Sequence, residues 1–69
     1  MNETLIAIAK DINGTVSSNG RPHGGFLNFQ GAFTFAEWVE KQVKSKFPGF
    51  RIHLSSVKDF PNYWVINVY

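Results

Sequence analysis

The 69-residue sequence contains no cysteine, which excludes disulfides and thiolate metal ligands. Secreted chains this short usually depend on such staples, so their absence points to a cytoplasmic location. Long apolar runs are missing as well. No segment approaches the roughly 20 residues needed to cross a bilayer, and the N-terminus lacks the basic region and apolar stretch of a signal peptide. No membrane partner is expected.

Charge is sparse. Seven lysines and arginines face five carboxylates, giving a net charge of +2, which is well short of the dense basic stripe of a dedicated nucleic-acid binder. The two histidines, His23 and His53, lie far apart in the sequence, without a partner at ligand spacing, so no metal site is expected. Ser55 and His53 share a strand face, but no acid is placed to orient the histidine, and no serine sits in a nucleophile-elbow context. Glycine-rich nucleotide motifs are also absent. Gly24-Gly25 leads into a strand, whereas phosphate sites draw their donors from a helix N-terminus. These absences argue against an enzyme and against a bound cofactor.

What the sequence does hold is apolar mass: 43% hydrophobic residues, with aromatics at 16%. A domain this small buries only about 60% of its unfolded surface. Large aromatic side chains are therefore expected to supply much of the core, leaving some exposed. Residues 1–69 read as one compact domain.

Thr34-Phe35-Ala36-Glu37 matches a capping box, and Phe33 and Trp38 flank it as a hydrophobic staple would. These signals predict a helix over 35–47 with Thr34 as its N-cap. Phe35, Ala36, Val39, Val43 and Phe47 form its apolar stripe, and Pro48-Gly49 ends it. Residues 51–57 and 63–69 alternate in polarity, and Lys-Asp-Phe-Pro-Asn between them predicts a hairpin. Placing Val57 across from Tyr63 sets Ser56, Leu54 and Ile52 opposite Trp64, Ile66 and Val68, on the face that meets the helix.

Residues 4–12 fit two periods. Ile6, Ile8 and Ile12 share a strand face, whereas Leu5, Ile8, Ala9 and Ile12 fall at helical spacing. Asn13-Gly14 followed by Thr15-Val16-Ser17 favours a strand and hairpin, with a helix capped at Asn13 or Gly14 as the alternative. Residues 18–25 are rich in turn formers and predict a flexible loop. Phe26-Leu27-Asn28-Phe29 reads as a short strand, with Gly31 marking a bend after it. The expected fold is α+β, a small antiparallel sheet packed by one central helix in the order β-β-α-β-β.

Two functional readings follow. The outward hairpin face gathers Arg51, His53, Val57, Tyr63 and Tyr69, residue types suited to a protein interface. With no chemistry in sight, the chain reads as a small module that occupies a surface on a larger protein, in the style of a phage or mobile-element inhibitor or accessory regulator. The alternative is a nucleic-acid-binding regulator using Arg21, Phe26, Phe29, Lys41, Lys44 and Lys46. His23–Phe29 resembles the aromatic strand of an RNA-recognition motif in setting glycines beside aromatics. It departs from that pattern in its displaced basic residue, its missing following glycine, and the lack of a second helix in the expected fold. The Tyr- and Val-rich C-terminal strand also suggests a homodimer formed at its edge.

Overall fold

The structure is a computed structural model describing residues 2–69. Its elements are α1 (Glu3–Asp11), β1 (Thr15–Ser17), β2 (Gly25–Gln30), α2 (Phe33–Lys46), β3 (Ile52–Val57) and β4 (Phe60–Val68). The strands form one antiparallel sheet in the order β1-β2-β4-β3. The protein is thus α+β with a small antiparallel sheet, but the element order is α-β-β-α-β-β. β2, α2 and β3 form a β-α-β unit that is split by β4, which pairs on both sides.

The correction falls on residues 4–12, which form a helix instead of the expected strand. Asn2 caps it: its side-chain oxygen accepts from the Leu5 N–H at 3.1 Å, and its amide donates to the His23 carbonyl at 2.8 Å. At the other end Asn13 takes a φ of 56° and the Gly14 N–H reaches the Ala9 carbonyl at 2.7 Å. This is a Schellman-type close, in which a left-handed residue after the C-cap lets the next N–H satisfy an orphan carbonyl. The same Asn-Gly pair that reads as a hairpin turn serves here as a helix stop. Gly14 is also required by proximity, because a Cβ on it would lie 2.7 Å from the Asn28 carbonyl oxygen on β2.

α2 begins earlier than the capping box implies. Its N-cap is Ala32, with no side-chain cap hydrogen bond, so Thr34 lies inside the first turn. A contact with β4 accompanies this start. The Phe33 ring packs on Trp64 with centroids 5.6 Å apart, and Phe35 stacks on Trp38 at 5.9 Å, replacing the expected Phe33–Trp38 staple. The apolar stripe is as expected, with Ala36, Val39, Val43 and Phe47 buried and Phe35 packed at its margin. Gly49 follows the helix with a φ of 93°.

α1 rests on β1 and β2, α2 rests on β3 and β4, and the two helices touch. Both lie on one face of the sheet. Leu5 and Ala9 from α1 and Ala36, Val39 and Val43 from α2 share a core with Leu27, Phe29, Ile66 and Val68. The largest fully buried side chains are aliphatic: Leu5, Leu27, Ile66, Val39, Val43 and Val68. At roughly 1.5–3 kcal/mol each, they carry the burial energy. Of the aromatics only Phe29 and Phe47 are buried, so the expectation of an aromatic core is corrected. In a two-layer domain this thin, the large rings reach the rim before they are covered.

Candidate functional site

With both helices on one side, the pleat turns alternate residues of each strand to the other side, which nothing covers. Thr15 and Ser17 lie on that open face in β1, Phe26, Asn28 and Gln30 in β2, Val65 and Asn67 in β4, and His53 and Ser55 in β3. The register across β3 and β4 is as expected from Ile52–Val68 through Ser56–Trp64. His53 faces Asn67, and the Tyr69 N–H donates to the Arg51 carbonyl at 2.9 Å.

The tip of this hairpin departs from expectation. Val57 opposes Phe60 instead of Tyr63, because Lys58-Asp59 makes a tight turn and the ladder breaks between Ser56 and Val57. β4 gains the extra residues Pro61, Asn62 and Tyr63 there. Asp59 and Asn62 accommodate the path with φ of 67° and 64°, a left-handed region that short polar side chains tolerate better than most. The result is a projecting aromatic pair: Phe60 and Tyr63 sit edge to face at 6.0 Å and are 58% and 43% exposed.

Gly31 holds the tip in place from below. Its N–H donates to the Asn62 carbonyl at 2.8 Å and its carbonyl accepts from the Trp64 indole N–H at 2.8 Å. A Cβ on Gly31 would approach the Phe35 ring at 2.6 Å, so the bend after β2 needs glycine for space. The bulge is thereby tied to the start of α2 and to the rim of the core.

The opposite end is tied down by the loop of residues 18–24. Asn19 donates to the Asn67 side chain at 2.7 Å and to the Val68 carbonyl at 2.9 Å. Its own side-chain oxygen accepts from the Arg21 N–H at 3.0 Å. Gly25 belongs to β2, and the loop that the sequence reads as flexible is hydrogen-bonded to the end of the central strand β4.

Charge divides between the layers. The helices hold Glu3, Asp11, Glu37 and Glu40 against Lys10, Lys41, Lys44 and Lys46, which cancel. Strands and loops hold Arg21, Arg51 and Lys58 against Asp59 alone, so the whole net charge of +2 lies in the sheet layer. No carboxylate stands among the open-face residues.

The expected site residues separate cleanly on this frame. Arg51, His53, Val57, Tyr63 and Tyr69 share the open side of β3 and β4. Phe60 joins them, although the sequence places it in a loop. The alternative set does not form one surface. Phe29 is 3% exposed within the core, Phe26 is on the open face, and Lys41, Lys44 and Lys46 ride on α2 in the other layer. β4 lies between β2 and β3, so it has no free edge for the homodimer expected there.

Among the described residues, no group of three or more histidines and carboxylates could hold a metal ion, and no helix is long and apolar enough to cross a membrane. Comparison with protein-family models, curated proteins and solved structures finds no match to this chain.

Proposed function

We propose that this chain is a non-enzymatic protein-binding module that seats the aromatic end of its open sheet face on an acidic surface of a larger protein. By covering that surface it would act as a small inhibitor or accessory regulator, of the phage or mobile-element kind. One observation carries the reading: the uncovered face projects Phe60 and Tyr63 from a tethered bulge, with Lys58 and Asp59 in the turn beside them and Arg51 at the far end of the same face. Exposed aromatics on a braced backbone lose little entropy on binding, and Tyr and Arg are frequent interface hot spots. The sheet layer holds Arg21, Arg51 and Lys58 against Asp59 alone, an excess that favours a partner whose own charge is negative.

A second reading is favoured by Phe26 and Tyr63 standing on the open face of the two central strands, where single-stranded bases could stack. The second helix, which the sequence offers only as the alternative for residues 4–12, brings the architecture nearer to such a platform. Against it, the α2 lysines lie in the other layer and few cations border the face.

Affinity capture from the source cell, with mass spectrometry of retained protein and nucleic acid, tests both. Phe60→Ala, Tyr63→Ala and Arg51→Ala should each weaken a captured protein partner by about 1–3 kcal/mol while leaving far-UV circular dichroism unchanged. A partner that all three variants bind like the native chain would refute the protein interface. Retained nucleic acid whose affinity falls linearly in log salt would support the second reading instead.

A further inference from the structure

The sheet has two edges, and they differ. β1 is only three residues long, whereas β3 offers six residues, Ile52–Val57. The Tyr69 N–H bonded to the Arg51 carbonyl fixes the phase of the β3–β4 ladder. Arg51 and Tyr69 form a hydrogen-bonded pair, and His53–Asn67 and Ser55–Val65 follow by alternation. Ile52, Leu54 and Ser56 therefore turn their N–H and carbonyl groups away from β4, toward the free edge. Natural edges are usually blunted by proline, by an inward charge or by a bulge. Between Ile52 and Val57 there is no proline and no lysine, arginine or carboxylate, and the irregular residues belong to β4.

We propose that β3 pairs antiparallel with β3 of a second copy about a two-fold axis at Leu54, joining two sheets into one of eight strands. In this register Leu54 faces its own equivalent, Ile52 faces Ser56, and His53 faces Ser55. All the outward backbone groups then find partners, and no like charges are set opposite each other on the strand. The pairing leaves the open face free in both copies, so it neither requires nor excludes a partner there.

The helix layer carries the second support. Trp38, Gln42 and Lys46 line the groove toward α1, so at 100° per residue Glu37, Glu40 and Lys44 fall on the opposite flank, above the β3 edge. α2 rests on both β3 and β4, which places its axis about half a strand spacing inside β3. With strands about 4.8 Å apart, the two α2 axes would lie about 10 Å apart, the distance at which helices pack. The two-fold makes the helices antiparallel, so the acidic half of one flank meets the basic half of the other. Glu37 then stands against Lys44 of the second copy. Within one copy only Glu40 and Lys44 pair, at a loose 3.9 Å, among the described residues.

Sedimentation equilibrium over a concentration series tests the pairing. The weight-average mass should rise from 7.8 kDa toward twice that value. Ser56→Pro removes only an outward N–H and should stay at the monomer mass throughout. Glu37→Lys should weaken the dimer about tenfold by breaking two symmetric charge pairs, and adding Lys44→Glu should recover most of that loss. The charge series decides the matter even if Ser56→Pro impairs folding. A native chain that stays monomeric to its solubility limit, or that exceeds a dimer, would overturn the proposal. So would dimerisation that all these variants leave untouched.

Discussion

Gly24 is where the loop meets the centre of the sheet, and it tests the fold most sharply. A Cβ on this residue would fall well inside the contact shell of the Val68 carbonyl oxygen, 3.1 Å from the carbonyl carbon and 3.3 Å from the Asn19 amide nitrogen. Backbone stands on one side and the ordered Asn19 amide on the other, so there is no flexible side chain to yield. Gly24→Ala must push residue 24 away from the end of β4. That shift costs about 1–3 kcal/mol in overpacking, and about 1 kcal/mol more as the Asn19 bond to the Val68 carbonyl stretches. A loss of about 3 kcal/mol is a large share of the roughly 3–10 kcal/mol expected for a domain this size. It should lower the melting temperature by about 10–20 °C. Gly20→Ala is the control: Gly20 has a φ of 81° with nothing within 4 Å of a built Cβ, so only backbone strain of about 1 kcal/mol applies. Thermal and urea melts followed by circular dichroism compare the two. If Gly24→Ala costs no more than Gly20→Ala, the close approach of residue 24 to β4 is wrong.

The two helix starts should respond in opposite ways in denaturant melts. Asn2→Ala should cost about 1–2 kcal/mol because it removes a cap bond and the tie to His23, while Thr34→Ala should change stability by less than about 0.5 kcal/mol because Thr34 caps nothing. At the end of α1, Asn13→Gly should raise stability by about 0.5 kcal/mol and Asn13→Ala lower it by about 1 kcal/mol, since φ at that residue is positive. Equal melting of the two Asn13 variants would show that the left-handed stop is not formed.

The C-terminal hairpin register was legible from Ile52–Val68 to Ser56–Trp64, though not at the tip, because Ile52 and Leu54 alternate in phase with Ile66 and Val68, and a one-residue slip would have exposed both pairs. The apolar stripe of α2 was legible for the same reason, at the helical period. α1 was not, because Leu5, Ile8, Ala9 and Ile12 compete with a strand pattern and Asn13-Gly14 can end either element. The deciding contact, Asn2 to the His23 carbonyl, spans 21 positions. Thr34 and Glu37 misled for a related reason: α2 starts earlier, where Phe33 packs on Trp64, a contact that no local motif reports. The candidate face was visible in Arg51, His53, Val57, Tyr63 and Tyr69. Phe60 was not, because its projection depends on positive φ at Asp59 and Asn62 and on the Gly31 tether.

The placement of β4 sets an order of events during synthesis. β2 and β3 never touch and β4 alone joins them, so before β4 exists the only ladder available is the short pairing of β1 with β2. A ribosome makes the centre of this sheet last. Until residues 60–68 leave the exit tunnel, α2 has half a floor to rest on and the faces of Leu27 and Phe29 stay open to water. Folding must therefore wait on contacts between distant parts of the chain, which slows it and leaves apolar strands open to wrong partners meanwhile. A nascent chain stalled even a few residues short of β4 would be prey for chaperones and proteases instead of a weakened version of the same protein.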